Sequence, residues 1–184
     1  MAGVSPANSK SFAANAAASA IPRMIKDRPN RLDLIYINQP LCFVTFTTRD
    51  RRAIPSLDDA QLALQRYARC GIDKFNVALG RYVIMPDHVH FFCRPEPGAK
   101  KLSEFIGAWK SWTSRRINAL GGPRSATAAT ATALWQREFF DHCLRSSDSY
   151  SEKWNYVFDN PVRAGLVSKA QEWRYAGEIE TLML

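Results

Sequence analysis

The chain has 184 residues, with 25 Lys and Arg against 17 Asp and Glu, a formal charge of +8 and a pI near 9.6. A hydrophobic share of 46% and an aromatic share of 11% exclude wholesale disorder, and no apolar run is long enough for a membrane-spanning helix. The basic surplus favours an acidic partner, of which nucleic acid is the commonest. Cys42, Cys70, Cys93 and Cys143 are scattered, with neither C-x-x-C nor zinc-ribbon spacing, so a reducing cytosol is the simplest setting.

Residues 1–30 mix Ala, Ser and Asn, carry Lys10, Arg23, Lys26 and Arg28, and hold no acid before Asp27. They read as a basic disordered arm, with an amphipathic transit peptide as the alternative. The run Ala13–Ile21, interrupted by Asn15 and Ser19, is a poor secretory signal. Residues 31–184 read as a single domain, globular from Ile37. Leu41–Thr47 is a first strand, β-branched and aromatic, and a basic turn, Arg49-Asp50-Arg51-Arg52, follows. Ser56-Leu57-Asp58-Asp59 opens a helix to about Cys70, with Gly71 placed to stop it. Phe75–Met85 is a second strand with a bulge or turn at Gly80. Pro86-Asp87 breaks it, and His88–Arg94 is a third.

Leu102, Phe105, Ile106, Trp109, Thr113, Ile117 and Leu120 recur at helical spacing, which predicts a helix over Lys101–Leu120 whose other face carries Lys110, Arg115 and Arg116. Gly121-Gly122-Pro123 ends it, and residues 121–133 form a low-complexity Ala/Thr loop. Leu134–Leu144 suggests a bent fourth strand. A capping box at Ser149-Tyr150-Ser151-Glu152 starts a last helix, which finishes near Asn160 because Pro161 follows. The order βαββαβα is that of an α+β sheet with helices packed against it.

Two clusters carry chemistry. In a strand, side chains alternate between faces, so His88 and His90 point one way while Val89, Phe91 and Cys93 point to the other, apolar side. Two such imidazoles can share a divalent metal through neutral ring nitrogens; the bland alternative is a pair of surface or structurally satisfied histidines. On the last helix, Tyr150, Trp154, Val157 and Phe158 form the stripe that packs on the sheet. Tyr156 lies well off that stripe, with Asn160 one turn later beside it, although an ordinary half-exposed tyrosine would read the same way. Tyr150, the rival nucleophile, falls on the apolar stripe, and the residue one turn later is Trp154, which binds no metal. Asp87 reads as a turn residue after Pro86, with partnership to His88 as the alternative. His142 reads as structural.

Together these clusters resemble the HUH single-strand nucleases that carry one catalytic tyrosine. More narrowly, Tyr82-Val83-Ile84-Met85-Pro86-Asp87-His88-Val89-His90, Trp135-Gln136-Arg137 and the run from Tyr156-Val157-Phe158-Asp159-Asn160-Pro161 to Val167 resemble the REP-associated tyrosine transposases of the IS200-like superfamily. The resemblance implies a ferredoxin-like antiparallel sheet and cleavage of single-stranded DNA beside palindromic hairpins, in a cytoplasmic, nucleoid-associated bacterial protein. It implies His88, His90 and Asn160 as ligands of Mg²⁺ or Mn²⁺ and Tyr156 as the nucleophile that forms a 5′-phosphotyrosine. It also implies a monomer, although dimers occur in the broader superfamily. Neither a membrane nor a nucleotide cofactor is expected: conservation of the phosphodiester energy in the adduct removes the need for an external energy source, and no G-x-x-x-x-G-K-[ST] loop is present. DNA contacts are expected from Arg49, Arg51 and Arg52, from Lys110, Arg115 and Arg116, and from Arg137, Arg145 and Arg163; each group could equally be a solvated face. The rival classes are a silent hairpin-binding module, an RNA binder, disfavoured because the RRM consensus is absent, and a structural zinc protein, which lacks the ligand spacing.

Overall fold

The computed structural model describes residues 41–120, 134–144 and 146–182. The expected basic arm, the Ala/Thr loop and Arg145 lie outside them. Five strands, β1 (Leu41–Thr47), β2 (Val77–Ile84), β3 (His88–Pro95), β4 (Phe140–Leu144) and β5 (Ala176–Glu178), form one sheet in the order β4-β1-β3-β2-β5. Every pairing is antiparallel. The first four strands follow the ferredoxin-like order, and β5, which hydropathy did not predict, extends the β2 edge. At three residues it is too short to show an alternating pattern.

Helices α1 (Leu57–Phe75) and α2 (Leu102–Leu120) cover one face of the sheet, and α3 (Ser147–Phe158) covers the other. Strand β1 is therefore apolar on both sides. Cys42, Val44 and Phe46 face α1 and α2 together with Val89, Phe91 and Cys93, while Leu41 and Phe43 join Phe92 and Val157 beneath α3. The predicted stripe packs as expected, with the Phe92 ring meeting Tyr150 at 4.9 Å and Trp154 at 6.2 Å.

Helix α1 runs past Gly71 to Phe75. Gly71 is not a stop signal but a point of close approach, because a Cβ there would sit 2.9 Å from the Val77 carbonyl oxygen and 3.1 Å from the Phe105 ring. The helix ends instead at Asn76, whose left-handed backbone (φ 55°) turns its N–H back to the carbonyls of Gly71 and Ile72. Gly80 does mark a bulge, since the β2–β3 register shifts between Leu79 and Tyr82. The fourth strand is confined to Phe140–Leu144, preceded by a single bridge from Trp135 to Thr48.

The last helix starts earlier than expected. Ser146 caps it by accepting the Ser149 N–H, and Ser149 answers with its own hydroxyl to the Ser146 N–H. It stops at Phe158, and Pro161 then sits in the first turn of a short helix, α4 (Asn160–Arg163), where a missing N–H costs nothing.

Lys110 corrects a further expectation. At about 100° per residue, Arg115 and Arg116 lie about 140° and 240° around α2 from it, so the three share no face. Lys110 is buried, and its ammonium donates to the carbonyls of Gln136, Arg137 and Glu138 at 2.9, 3.3 and 2.8 Å. It pins the segment after Trp135 to α2 and is not available to DNA. Burial pushes its pKa down to about 8.

Candidate active site

Strand β3 lies inside the sheet, and its first residues follow a tight Pro86-Asp87 turn closed by the Met85 N–H donating to the His88 carbonyl at 2.8 Å. Period-two alternation places His88 and His90 on the α3 side, with ring centroids 4.7 Å apart. His90 is almost fully buried (9% exposed) and stacks on Phe43 at 5.5 Å. Burial, reinforced by the nearby His88, Lys153 and Arg163, pushes its pKa down to about 3, so the ring is neutral at physiological pH.

The proton of that neutral ring is assigned by its neighbours. Asn160 donates its side-chain N–H to Nε2 at 3.0 Å, so Nε2 holds the lone pair and Nδ1 donates to the Thr45 hydroxyl at 2.7 Å. His88 is oriented in the same way, with Nδ1 2.5 Å from an Asp87 carboxylate oxygen. Asp87 thus does more than turn the chain. Its other oxygen accepts from Arg51 at 3.2 Å, and although burial opposes it, the hydrogen bonds from His88 and Arg51 hold its carboxyl below the usual range.

Tyr156 projects from α3 with 61% exposure, off the packed stripe. Its ring lies under the Arg163 guanidinium, 4.1 Å from centroid to Cζ, with the Lys153 ammonium at 5.8 Å. Arg163 also donates to the Tyr156 carbonyl at 2.6 Å and to the Asn160 side-chain oxygen. Met85, His88, His90, Tyr156, Asn160, Arg163 and Ala164 line a single open cleft of about 390 Å³.

The four residues expected to form the site therefore surround one cleft, and Arg163, expected as a DNA contact, is bonded into it. Arg49 and Arg52 are exposed on the turn after β1, Arg51 is committed to Asp87, and Arg137 is exposed beyond Trp135. Arg116 is half-buried beside Asp59 at 3.8 Å, and Arg115 lines a different groove. Sequence reasoning missed Thr45, Lys153 and the bonding of Arg163. Helical spacing around Tyr156 signalled the last two, one three residues before it and the other seven after. Thr45 left no such signal, because its partner is distant in the chain.

Among the described residues no cluster of three His, Cys, Asp or Glu stands ready for a metal. The donor set is two imidazole Nε2 atoms, each ring having a partner at Nδ1 and that of His90 here accepting the Asn160 N–H, and the Asn160 carboxamide, whose oxygen here faces Arg163. Such a set, with the Asp87 carboxylate behind His88, fits a divalent cation that draws its remaining ligands from phosphate oxygens and water.

A ferredoxin-like sheet with two imidazoles on an inner strand and a solvent-facing phenol on the helix beside them defines the class of single-tyrosine HUH proteins. The chain belongs to the family of IS200-like transposases, whose model matches residues 41–158. It is 23% identical over 142 residues to the REP-associated tyrosine transposase of Escherichia coli strain K12, spanning 77% of this chain and 78% of the relative. Its fold is similar to that of a REP-associated tyrosine transposase solved bound to a REP hairpin, with a TM-score of 0.61 at 22% identity over 77% of this chain and 78% of the other.

Proposed function

We propose that the protein is a strand transferase that cuts and rejoins single-stranded DNA beside hairpins, with Tyr156 as the nucleophile. The observation that carries this reading is the shared cleft: an exposed phenol stands beside two imidazoles, each held at Nδ1 by an oxygen partner. The phenol oxygen forms a bond to phosphorus, the P–O3′ bond breaks, and the 3′ oxygen leaves as a hydroxyl. The phenol proton passes to water, and the departing oxygen takes one up. The 5′-phosphotyrosine keeps the phosphodiester energy, so attack by another 3′-OH restores the phenol and joins a new strand.

A free phenol has a pKa near 10, so the step needs help. His88, His90 and Asn160 would hold Mg²⁺ or Mn²⁺, which when bound polarises a phosphate oxygen. Arg163 and Lys153 place positive charge about the Tyr156 ring, where developing phenolate and phosphate charge is stabilised. Hairpin DNA as the substrate is supported by the relatives.

Incubation with hairpin-bearing single-stranded DNA and Mn²⁺, followed by a denaturing gel, tests this. A protein–DNA adduct is expected with wild type and absent with Tyr156→Phe or with EDTA. Hairpin binding by wild type without any adduct would replace the reading with a binding module.

A further inference from the structure

We propose that the groove between α1 and α2, on the far side of the sheet from His88 and His90, is a second contact for a single-stranded nucleic acid, with Arg66, Lys74 and Arg115 on its phosphates and Trp112 stacking against a base. The groove has a volume of about 300 Å³ and is lined by Arg66, Tyr67, Cys70, Lys74, Phe75, Ala108, Trp112 and Arg115. It shares no residue with the catalytic cleft.

Spacing builds it from two facing stripes. Arg66, Cys70 and Lys74 recur every four residues on α1, while Ala108, Trp112 and Arg115 recur at four and three on α2. The floor is rigid, because the Tyr67 hydroxyl ties α1 to the Phe105 carbonyl of α2 at 2.7 Å and the Tyr67 ring packs against Phe75 and Phe105.

Two observations point to a polyanion with bases. First, no acid lines the groove, and among the described residues Arg66, Lys74 and Arg115 form no ion pair. Three exposed cations around a concave apolar floor are placed for phosphates whose bases need cover. Second, the chain has five Trp. Trp109, Trp135, Trp154 and Trp173 each lie against another ring. Trp112 meets none among the described residues; it is half-buried on the groove wall with an indole face to offer.

This inference rests on the preceding reading only for the partner being nucleic acid. Cys70, exposed on the groove, supplies the test. Full-length protein carrying Tyr156→Phe is titrated with oligothymidylate, and with the same strand extended by a hairpin, while anisotropy monitors saturation. N-ethylmaleimide labelling is followed at each cysteine by peptide mass spectrometry. Cys70 is expected to react readily in free protein and several-fold more slowly at saturation. The Arg66→Gln/Lys74→Gln/Arg115→Gln variant, altered only at exposed side chains, is expected to lower the slope of log K against log salt by about 2, at about 0.7 per phosphate contact on a single strand. Unchanged Cys70 labelling at saturation, or an unchanged slope, overturns the groove while leaving the catalytic reading intact. Protection of Cys70 in a protein whose wild type forms no adduct sustains the groove and removes the catalysis. A strand that binds nowhere removes both.

Discussion

Thr45 and His90 stand opposite each other on β1 and β3, and the threonine hydroxyl meets the imidazole Nδ1 at 2.7 Å. With the tautomer set by the Asn160 N–H at Nε2, the Thr45 hydroxyl accepts the Nδ1 proton and holds the ring in place. Thr45→Val preserves the shape and removes the acceptor, so the buried Nδ1–H is left unpaired and the ring loses one of its two anchors. Mn²⁺ affinity measured by titration calorimetry is expected to fall by roughly 10-fold, the lower end of the range for partners behind a metal ligand. Unaltered affinity would show that Thr45 does not orient His90.

His90 also sets a pH dependence. Its pKa falls from 6.5 to about 3 in the fold, so between those values the unfolded chain binds the extra proton. Stability from this group is therefore complete above about pH 6.5 and lost as pH falls toward 3. NMR of ¹⁵N-labelled histidine should show the His90 ring neutral throughout the range from pH 5 to 8. Titration near 6.5 would contradict the burial argument.

Gly71→Ala tests the close approach of α1 to β2. Within a helix this substitution ordinarily stabilises by about 0.5–1 kcal/mol. Here the added methyl meets a backbone oxygen at 2.9 Å, which cannot move aside as a flexible side chain can. A net loss of roughly 1–3 kcal/mol is expected in urea unfolding. A gain in stability would refute the packing account.

Lys110→Met keeps the length of the side chain and strips three carbonyls of their donor. The expected cost is roughly 2–4 kcal/mol, a drop in Tm of roughly 5–10 °C, read by circular dichroism. A Tm within a degree of wild type would mean that the ammonium does not hold the 136–138 segment.

Much of this architecture is local, which is why the sequence discloses it. Strand β1 and the ends of α2 follow from periodicity, and the alternation on β3 separates His88 and His90 from Val89 and Phe91. Placing Tyr156 off the apolar stripe of α3 needs only a wheel. What stayed hidden depends on contacts between distant segments. Thr45 reads as an ordinary strand residue until β1 pairs with β3, and Lys110 reads as surface charge until the 136–138 carbonyls arrive beside it. Gly71 carries the same letter as a helix stop, and only the proximity of Val77 and Phe105 reveals its role.

The position of β3 between β1 and β2 ties the two walls of the cleft unequally into the fold. Amides of the strand bearing the imidazoles, hydrogen-bonded to a strand on each side, are expected to exchange with D₂O more slowly than those of the helix bearing the phenol, which is laid on one face of the sheet. The wall of the cleft that carries the histidines is thus woven into the interior of the sheet, and the wall that carries Tyr156 is laid upon its surface.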